Sequence, residues 1–166
     1  MENVCLYDSP LGTVILRSDG DALTYLGFAE ETSGRGYETE DEILLCALKW
    51  LDIYFSGAVP DFTPPLKARS TPFREMVWEE LLTIPYGELS SYGRIAERIE
   101  ERTGKRCSAR AVGGAVGANP ISLIIPCHRV IGSDGSLTGF GWGLERKRKL
   151  LALEGSWEEG GDYDDV

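Results

Sequence analysis

The chain has 166 residues, 42% of them apolar, and a formal net charge of −10. This length suits one ordinary domain or two small ones, and the apolar content is typical of a globular fold. No apolar run approaches the roughly 18 residues that a membrane-spanning helix needs, and the first residues lack the basic and apolar segments of a secretion signal, so we expect neither membrane insertion nor secretion.

The charge is distributed unevenly along the chain. Residues 1–65 hold 3 basic and 12 acidic side chains, whereas residues 94–149 hold 11 basic and 5 acidic ones. A local basic surface of this kind attracts nucleic acid even when the whole protein is acidic. Charged helix faces are also common without such a partner, so the pattern alone leaves both interpretations open.

The cysteines and the histidine argue against a metal site. Cys5, Cys46, Cys107 and Cys127 are widely spaced, form no CxxC pair and are accompanied by a single histidine, His128. This is a poor zinc-ligand set, so we predict no metal, and reduced thiols favour the cytoplasm.

The first part of the chain predicts a scaffold rather than a site. Short β-prone runs at 4–7, 13–17 and 22–28 are separated by turn residues and predict an antiparallel meander. Thr39 and Glu42 match a capping box, followed by apolar residues at helical spacing.

Two short helices are predicted next, joined by a turn that contains glycine. Ser90 or Ser91 caps the first, which runs to about Arg102, and Ser108 caps the second, which reaches about Gly117. This arrangement is typical of a helix-turn-helix. The first helix carries arginines at i, i+4 and i+8, which form one basic stripe: Arg94, Arg98 and Arg102.

The second of these helices is poor in side-chain volume. It is built largely from alanine and glycine, and each glycine inside a helix costs about 1 kcal/mol relative to alanine. Either another helix packs closely against it, or a DNA groove approaches its backbone. Because it carries no Asn, Gln or Lys to contact base edges in the major groove, DNA binding would show little sequence preference. Arg110 lies near its N-terminus, where the helix dipole disfavours a cation.

A thiol and the single imidazole are adjacent at Cys127 and His128, after an apolar run that ends at Pro126. One interpretation is a buried cysteine beside a hydrogen-bonded interior histidine. The other is a nucleophilic thiol activated by a base. Neighbouring side chains of an extended strand point to opposite faces, so the second interpretation requires a turn or a bridging water, and a third group, most simply a carboxylate, to orient His128.

The remaining sequence predicts a loop, a helix and a tail. Residues 137–143 alternate glycine with aromatic rings, which suits either stacking or simple coverage of the core. Residues 144–154 predict a helix whose segment 146–149 is largely exposed, and residues 156–166 predict a disordered acidic tail.

Three motifs in order resemble the O6-alkylguanine-DNA alkyltransferases, also called methylated-DNA–protein-cysteine methyltransferases. They are Pro-Cys-His-Arg-Val at 126–130, Arg-Ala-Val-Gly-Gly-Ala-Val-Gly-Ala-Asn-Pro at 110–120 and Leu-Leu-Ala-Leu-Glu-Gly at 150–155. The resemblance implies an α+β fold. A small N-terminal β-sheet/helix domain of RNase H-like type (1–65) would precede a C-terminal helical domain of winged helix-turn-helix type (66–155) and the acidic tail (156–166).

The resemblance also implies a function. The protein would bind double-stranded DNA carrying O6-alkylguanine, flip the base and move its alkyl group to Cys127 in a single turnover; O4-alkylthymine would also react. It would work as a monomer, without a cofactor. The residues that match the family's catalytic positions are Cys127, His128, Glu154 and Asn119. The residues that we expect to contact the base or DNA, from the resemblance together with the basic stripe and the small-residue helix, are Tyr92, Arg94, Arg110, Ala111, Gly113, Gly114, Val130, Phe140, Gly141 and Trp142.

The sequence departs from the commoner family pattern in the pocket loop. Phe140 replaces a frequent tyrosine, and Trp142 stands where some members have glycine. A tryptophan in the pocket wall would narrow it, so we expect methyl to transfer well and benzyl poorly. Other classes remain open: a noncatalytic damage sensor, whose known relatives lack the cysteine, a Cys-His hydrolase, and a DNA-binding regulator.

Overall fold

The computed structural model describes residues 2–29 and 38–157, so nearly all of the predicted tail lies outside the described residues. The chain divides into an N-terminal unit, Met1–Ala68 with Pro120–Ile124, and a C-terminal unit, Arg69–Asn119 with Ile125–Val166. The short segment at 120–124, which the sequence assigns to the second domain, groups with the first unit.

A meander and one helix form the described part of the N-terminal unit. Strands β1 (Asn3–Ser9), β2 (Gly12–Ser18) and β3 (Leu23–Phe28) pair antiparallel in that order, and α1 (Glu42–Phe55) packs against them. The meander forms as predicted because short alternating runs bounded by Gly and Asp turns favour local antiparallel pairing.

The segment at 120–124 belongs to this unit because its backbone pairs with β3. The amide of Leu26 donates to the carbonyl of Pro120 at 3.0 Å, and the amide of Ser122 donates to the carbonyl of Leu26 at 2.9 Å. These bonds satisfy backbone groups that would otherwise stay unpaired at the edge of the sheet.

The predicted start of α1 is wrong by two residues. Asp41 caps the helix, because its carboxylate accepts from the amides of Ile43 and Leu44 at 2.8 and 3.0 Å. The Thr39 hydroxyl instead accepts from the amide of Asp41 at 3.1 Å. Glu42 is therefore the first helical residue. Asp41 is the better cap because its carboxylate lies closer to the apolar run. The capping-box pattern at Thr39 and Glu42 does not take this residue into account.

The C-terminal unit is mainly helical. Its described elements are α2 (Pro72–Leu81), β4 (Ser90–Ser91), α3 (Tyr92–Thr103), α4 (Ala109–Gly117), a single 3₁₀ turn (Cys127–Arg129), β5 (Val130–Ile131) and α5 (Leu144–Leu153). The α+β class expected from the resemblance is confirmed.

The predicted helix pair is set by local signals. The hydroxyl of Ser91 accepts from the amide of Arg94 at 3.1 Å, and that of Ser108 accepts from the amide of Ala111 at 3.0 Å. Gly104 ends α3 with a φ of +71°, a conformation that glycine adopts at little cost.

A short parallel ladder links α3 to the chain that follows the 3₁₀ turn. Ser90 pairs with Val130, and Ser91 pairs with Ile131. Because β4 runs directly into α3, this ladder places the N-terminus of α3, with Tyr92, beside the turn that carries the thiol and the imidazole.

Candidate active site

The chain turns at Cys127 rather than continuing as a strand. Cys127, His128 and Arg129 form one 3₁₀ turn, closed by a bond from the amide of Val130 to the carbonyl of Cys127. The side-chain amide of Asn119 donates to the carbonyl of Ile125 at 2.9 Å, just before this turn. Adjacent side chains are thereby freed from the opposite-face geometry of an extended strand.

A buried carboxylate orients the imidazole. Oε2 of Glu154, at the C-terminus of α5, lies 2.6 Å from Nε2 of His128, and both side chains are fully buried. Arg129 donates to both oxygens of the same carboxylate, at 2.7 Å from Nε and 3.2 Å from Nη2. Its Nη1 donates to the carbonyl of Ile84 at 2.7 Å. A bidentate guanidinium therefore supports the His128–Glu154 pair.

The charges in this cluster follow from burial and pairing. Burial would raise the pKa of Glu154, but hydrogen bonds from His128 and Arg129 outweigh it and lower that pKa to about 2. Burial lowers the pKa of His128 despite its bond to Glu154. At neutral pH the carboxylate is ionised and the imidazole is neutral, so Nε2 carries the ring proton and donates to Glu154.

Lys147 is a residue of this site that the sequence analysis missed. The expectation that 146–149 is largely exposed is wrong here, because Lys147 is fully buried. Its ammonium donates to the carbonyls of Val130 at 2.6 Å, Thr138 at 2.7 Å and Gly139 at 3.2 Å. Helical spacing could have found it, since Leu150, three residues on, lies on the buried face of α5.

Tyr92 contacts the loop that follows the turn. Its hydroxyl donates to the carbonyl of Thr138 at 3.3 Å, with the carbonyl of Gly139 at 3.5 Å. Burial raises the pKa of Tyr92, so the hydroxyl keeps its proton and its role as donor. Phe140 and Trp142, farther along this loop, are half-buried, whereas Gly141 is exposed.

The glycines of α4 are not explained by packing against the described residues. A Cβ added at Gly114 or Gly117 would meet nothing within 4 Å. One added at Gly113 would lie 3.8 Å from the Tyr92 ring, an ordinary contact. Close helix packing therefore does not account for the exposed glycines, and the surface they share with Arg110 and Ala111 is open.

The predicted basic stripe is largely neutralised. Arg98 pairs with Glu80 at 2.6 Å, and Arg102 pairs with Glu79 at 2.8 Å and with Glu80 at 3.4 Å. Arg94 is exposed, and no ion pair joins it to any residue that the structure describes.

The predicted site residues fall into two groups. The catalytic candidates and Val130 gather around the 3₁₀ turn, with Tyr92 reaching the neighbouring loop, whereas Arg94, Arg110, Ala111 and Gly114 lie on the exposed faces of α3 and α4. Within residues 2–29 and 38–157, no cluster of three His, Cys, Asp or Glu side chains could hold a metal ion. No helix in those ranges is long and apolar enough to cross a membrane.

Comparison with known proteins matches both parts of the chain to one family. Residues 4–68 match the ribonuclease-like domain of 6-O-methylguanine DNA methyltransferase, and residues 72–156 match its DNA-binding domain. The chain is 48% identical over 152 residues to the methylated-DNA–protein-cysteine methyltransferase of Mycobacterium tuberculosis, covering 90% of each. It is 46% identical over 153 residues to that of Haemophilus influenzae, covering 89% of this chain and 83% of the relative.

Solved structures give the same result. The crystal structure of Mycobacterium tuberculosis O6-methylguanine methyltransferase matches with a TM-score of 0.80 and 43% identity, over 97% of each chain. The structure of Mycobacterium tuberculosis OGT in complex with DNA matches with a TM-score of 0.78 and 47% identity, over 91% of each chain. The chain therefore belongs to the 6-O-methylguanine DNA methyltransferase family, as its three sequence motifs predict.

Proposed function

We propose that this protein repairs duplex DNA by moving the alkyl group of O6-alkylguanine to its own Cys127, once per molecule. One observation carries the proposal: a buried thiol stands next to an imidazole that a carboxylate holds at 2.6 Å. The same unit carries the helix pair α3–α4, whose exposed backbone is accessible to DNA. The curated relatives carry the name of this activity.

The chemistry of the transferred group favours a thiolate. The alkyl carbon is saturated, and displacement at such a carbon needs a soft, strong nucleophile. Because Nε2 of His128 is engaged with Glu154, the thiol proton leaves through Nδ1, by way of a bridging water. The S–C bond forms as the C–O6 bond breaks, and guanine leaves with a proton that balances the one lost by the thiol.

The product explains why the reaction is stoichiometric. An S-alkyl cysteine is a thioether, which offers no leaving group that water could displace at a useful rate. The protein is therefore consumed by the reaction. The DNA itself supplies the alkyl group, so the reaction requires no cofactor.

Burial of the thiol requires the base to leave the duplex. Only 6% of Cys127 is exposed, and a base stacked in a helix could not bring O6 to it. Enzymes that act on a base extrude it into a pocket. In our proposal Tyr92, the carbonyl of Val130 and the amide of Gly141 hold the guanine edge, while Arg110 fills the space left in the stack.

The surface of α4 suits DNA of any sequence. Its exposed glycines allow a close approach of the duplex, and it presents no Asn, Gln or Lys to base edges. Arg94 supplies phosphate attraction. The protein would bind as a monomer in the cytoplasm, where Cys127 stays reduced, and would also accept O4-alkylthymine, which presents a similar alkyl carbon.

The direct test is an intact-mass spectrum after mixing the protein with one equivalent of an O6-methylguanine duplex, followed by peptide mapping. We expect a gain of one methylene on the Cys127 peptide, saturating at one per protein. Cys127→Ser should bind the lesion without any gain. An unchanged mass with the duplex bound would favour a damage sensor, and multiple turnover on thioester probes would favour a hydrolase.

A second comparison tests the role of Arg110. Arg110→Ala should slow methyl transfer from a duplex but not from free O6-methylguanine, because only the duplex requires extrusion of the base. Equal slowing on both substrates would place the defect in the chemistry rather than in extrusion.

A further inference from the structure

Lys147 carries a buried charge for which the mechanism above has no use. Its side chain is fully buried, and all three of its hydrogen bonds go to neutral carbonyls. Within residues 2–29 and 38–157, no carboxylate forms an ion pair with it. Burying a cation without a counter-charge is costly, and a neutral side chain could fill the same space in α5.

The position of this ammonium relative to the thiol suggests what the charge does. Nζ lies 2.6 Å from the carbonyl of Val130, whose amide closes the 3₁₀ turn on the carbonyl of Cys127. Burial lowers the pKa of Lys147 to about 8, and the charge of Cys127 acts in the opposite direction and raises it. The ammonium thus lies against the backbone that closes the turn of Cys127, where a thiolate and an ammonium would each stabilise the charged form of the other.

The other ionisable groups near the turn are already balanced. Glu154 is held by His128 and Arg129, so its negative charge is compensated within that cluster. Tyr92 donates to the same loop carbonyls as Lys147 and keeps its proton.

Resting on the proposed function, we infer that Lys147 is a positioning residue of the transfer reaction. Its ammonium stabilises the Cys127 thiolate, and the same group ties the loop at Thr138 and Gly139 to the backbone that follows the thiol. The two residues have different roles. His128 removes the thiol proton, whereas Lys147 stabilises the thiolate that remains.

The rate of alkyl transfer should therefore depend on pH through Lys147. Loss of the Lys147 proton at alkaline pH removes the positive charge, so the transfer rate should fall again above the pH at which this ammonium titrates. His128 is already neutral and Glu154 is already ionised before that range, so neither changes its charge there. The fall of the transfer rate at alkaline pH therefore reports on loss of a proton from Lys147 or from Tyr92. A fall that persists in Tyr92→Phe belongs to Lys147.

The first experiment is a titration of the thiolate by its ultraviolet absorbance, without DNA, using Cys127→Ser as the baseline. We expect Lys147→Met to raise the midpoint of Cys127 by at least about one pH unit, tenfold in proton affinity. Lys147→Gln should behave similarly, because it keeps donors for the carbonyls but has no charge. Lys149→Met on the same helix, where the lysine is exposed, should leave the midpoint unchanged.

A second measurement works even if the Lys147 variants fold poorly. Carbon-13 NMR of the Lys147 Cε reports its titration in the wild-type protein and in Cys127→Ser. Because the interaction is reciprocal, removing the thiolate should lower the Lys147 midpoint. Equal midpoints in the two proteins, or an unchanged thiolate titration in a folded Lys147→Met, would overturn the inference.

These readouts are independent of the proposed function. A wild-type protein that titrates as expected but gains no methylene from the lesion duplex would leave the Lys147–Cys127 coupling standing and refute alkyl transfer. A protein that transfers methyl normally but shows no coupling would refute only the role of Lys147.

Discussion

Oε2 of Glu154 lies 2.6 Å from Nε2 of His128, although 26 positions separate the two residues in the chain. Arg129 donates to the same carboxylate through two nitrogens. The guanidinium keeps Glu154 ionised, and the ionised carboxylate selects the imidazole tautomer with its proton on Nε2. The other ring nitrogen then has the lone pair that a general base needs.

Glu154→Gln should therefore impair both chemistry and folding. The amide no longer selects the tautomer, so we expect the single-turnover methyl transfer rate to fall about 10²–10⁴-fold. It also leaves the buried Arg129 without its counter-charge, at a cost of about 3 kcal/mol in the free energy of unfolding. Quench-flow kinetics and urea unfolding measure the two effects. Glu145→Gln, at an exposed position of α5, is the control, and wild-type transfer by Glu154→Gln would contradict the assignment.

Stability should fall as the pH drops below about 6.5. The pKa of His128 is lowered in the folded state by burial, so between its unfolded and folded values only the unfolded chain takes up the proton. Unfolding is then favoured by up to about 1.4 kcal/mol per pH unit. Because His128 is the single histidine, urea unfolding between pH 7.5 and about 5 isolates it. His128→Gln should flatten this dependence, and an equally steep loss in that variant would contradict a buried neutral imidazole.

A second acid transition belongs to Glu154. Its folded pKa of about 2 lies below the 4.5 of an exposed glutamate, so its contribution to stability is complete above about pH 4.5 and is lost as the pH falls toward 2. Acid unfolding of the wild-type protein and of Glu154→Gln should therefore converge at low pH. A constant difference in stability down to pH 2 would mean that the carboxylate is not the titrating group.

Substitution of Gly114 should change stability and DNA affinity in opposite directions. An added Cβ would enter open space, so Gly114→Ala should stabilise α4 by about 0.5–1 kcal/mol. If the duplex approaches this backbone, the same change should weaken DNA binding, and Gly114→Leu should weaken it further. Thermal unfolding and fluorescence anisotropy with an undamaged duplex test both effects. Equal affinity for Gly, Ala and Leu variants would remove α4 from the DNA interface.

Arg94 and Arg98 lie on the same helix but should contribute differently to the affinity for DNA. Arg94 is exposed, whereas Arg98 is paired with Glu80 at 2.6 Å. We expect Arg94→Ala to reduce the magnitude of the slope of log affinity against log salt by about 1, the change that the loss of one phosphate contact produces. Arg98→Ala, the matched control, should leave the slope unchanged. An equal reduction in both variants would show that the Arg98–Glu80 pair opens on DNA.

Trp142 should limit the size of the adduct. It is half-buried in the loop that follows Tyr92's acceptor carbonyls, and its indole would stand in the wall of the base pocket. We expect single-turnover transfer to be faster from O6-methylguanine than from O6-benzylguanine, and Trp142→Gly to narrow the difference. Comparable wild-type rates on the two oligonucleotides would contradict this prediction.

Local sequence signals were sufficient to predict the helix pair and to single out the Cys-His dipeptide as the candidate site. Ser91, Gly104 and Ser108 act on amides and φ angles within a few residues of themselves, so α3 and α4 could be predicted from their caps. The adjacency of Cys127 and His128, together with the family motifs, indicated the site and its carboxylate partner.

Only the tertiary structure determined which groups the charged side chains contact. Lys147 resembles its three basic neighbours in sequence, but it is buried because the carbonyls of Val130, Thr138 and Gly139 converge on its ammonium. Arg98 looked like part of a free basic stripe until α2 placed Glu80 beside it. Helical spacing places Lys147 on the buried face of α5, but the partners of both charges lie 8 to 18 positions away, so these pairings depend on how the elements pack.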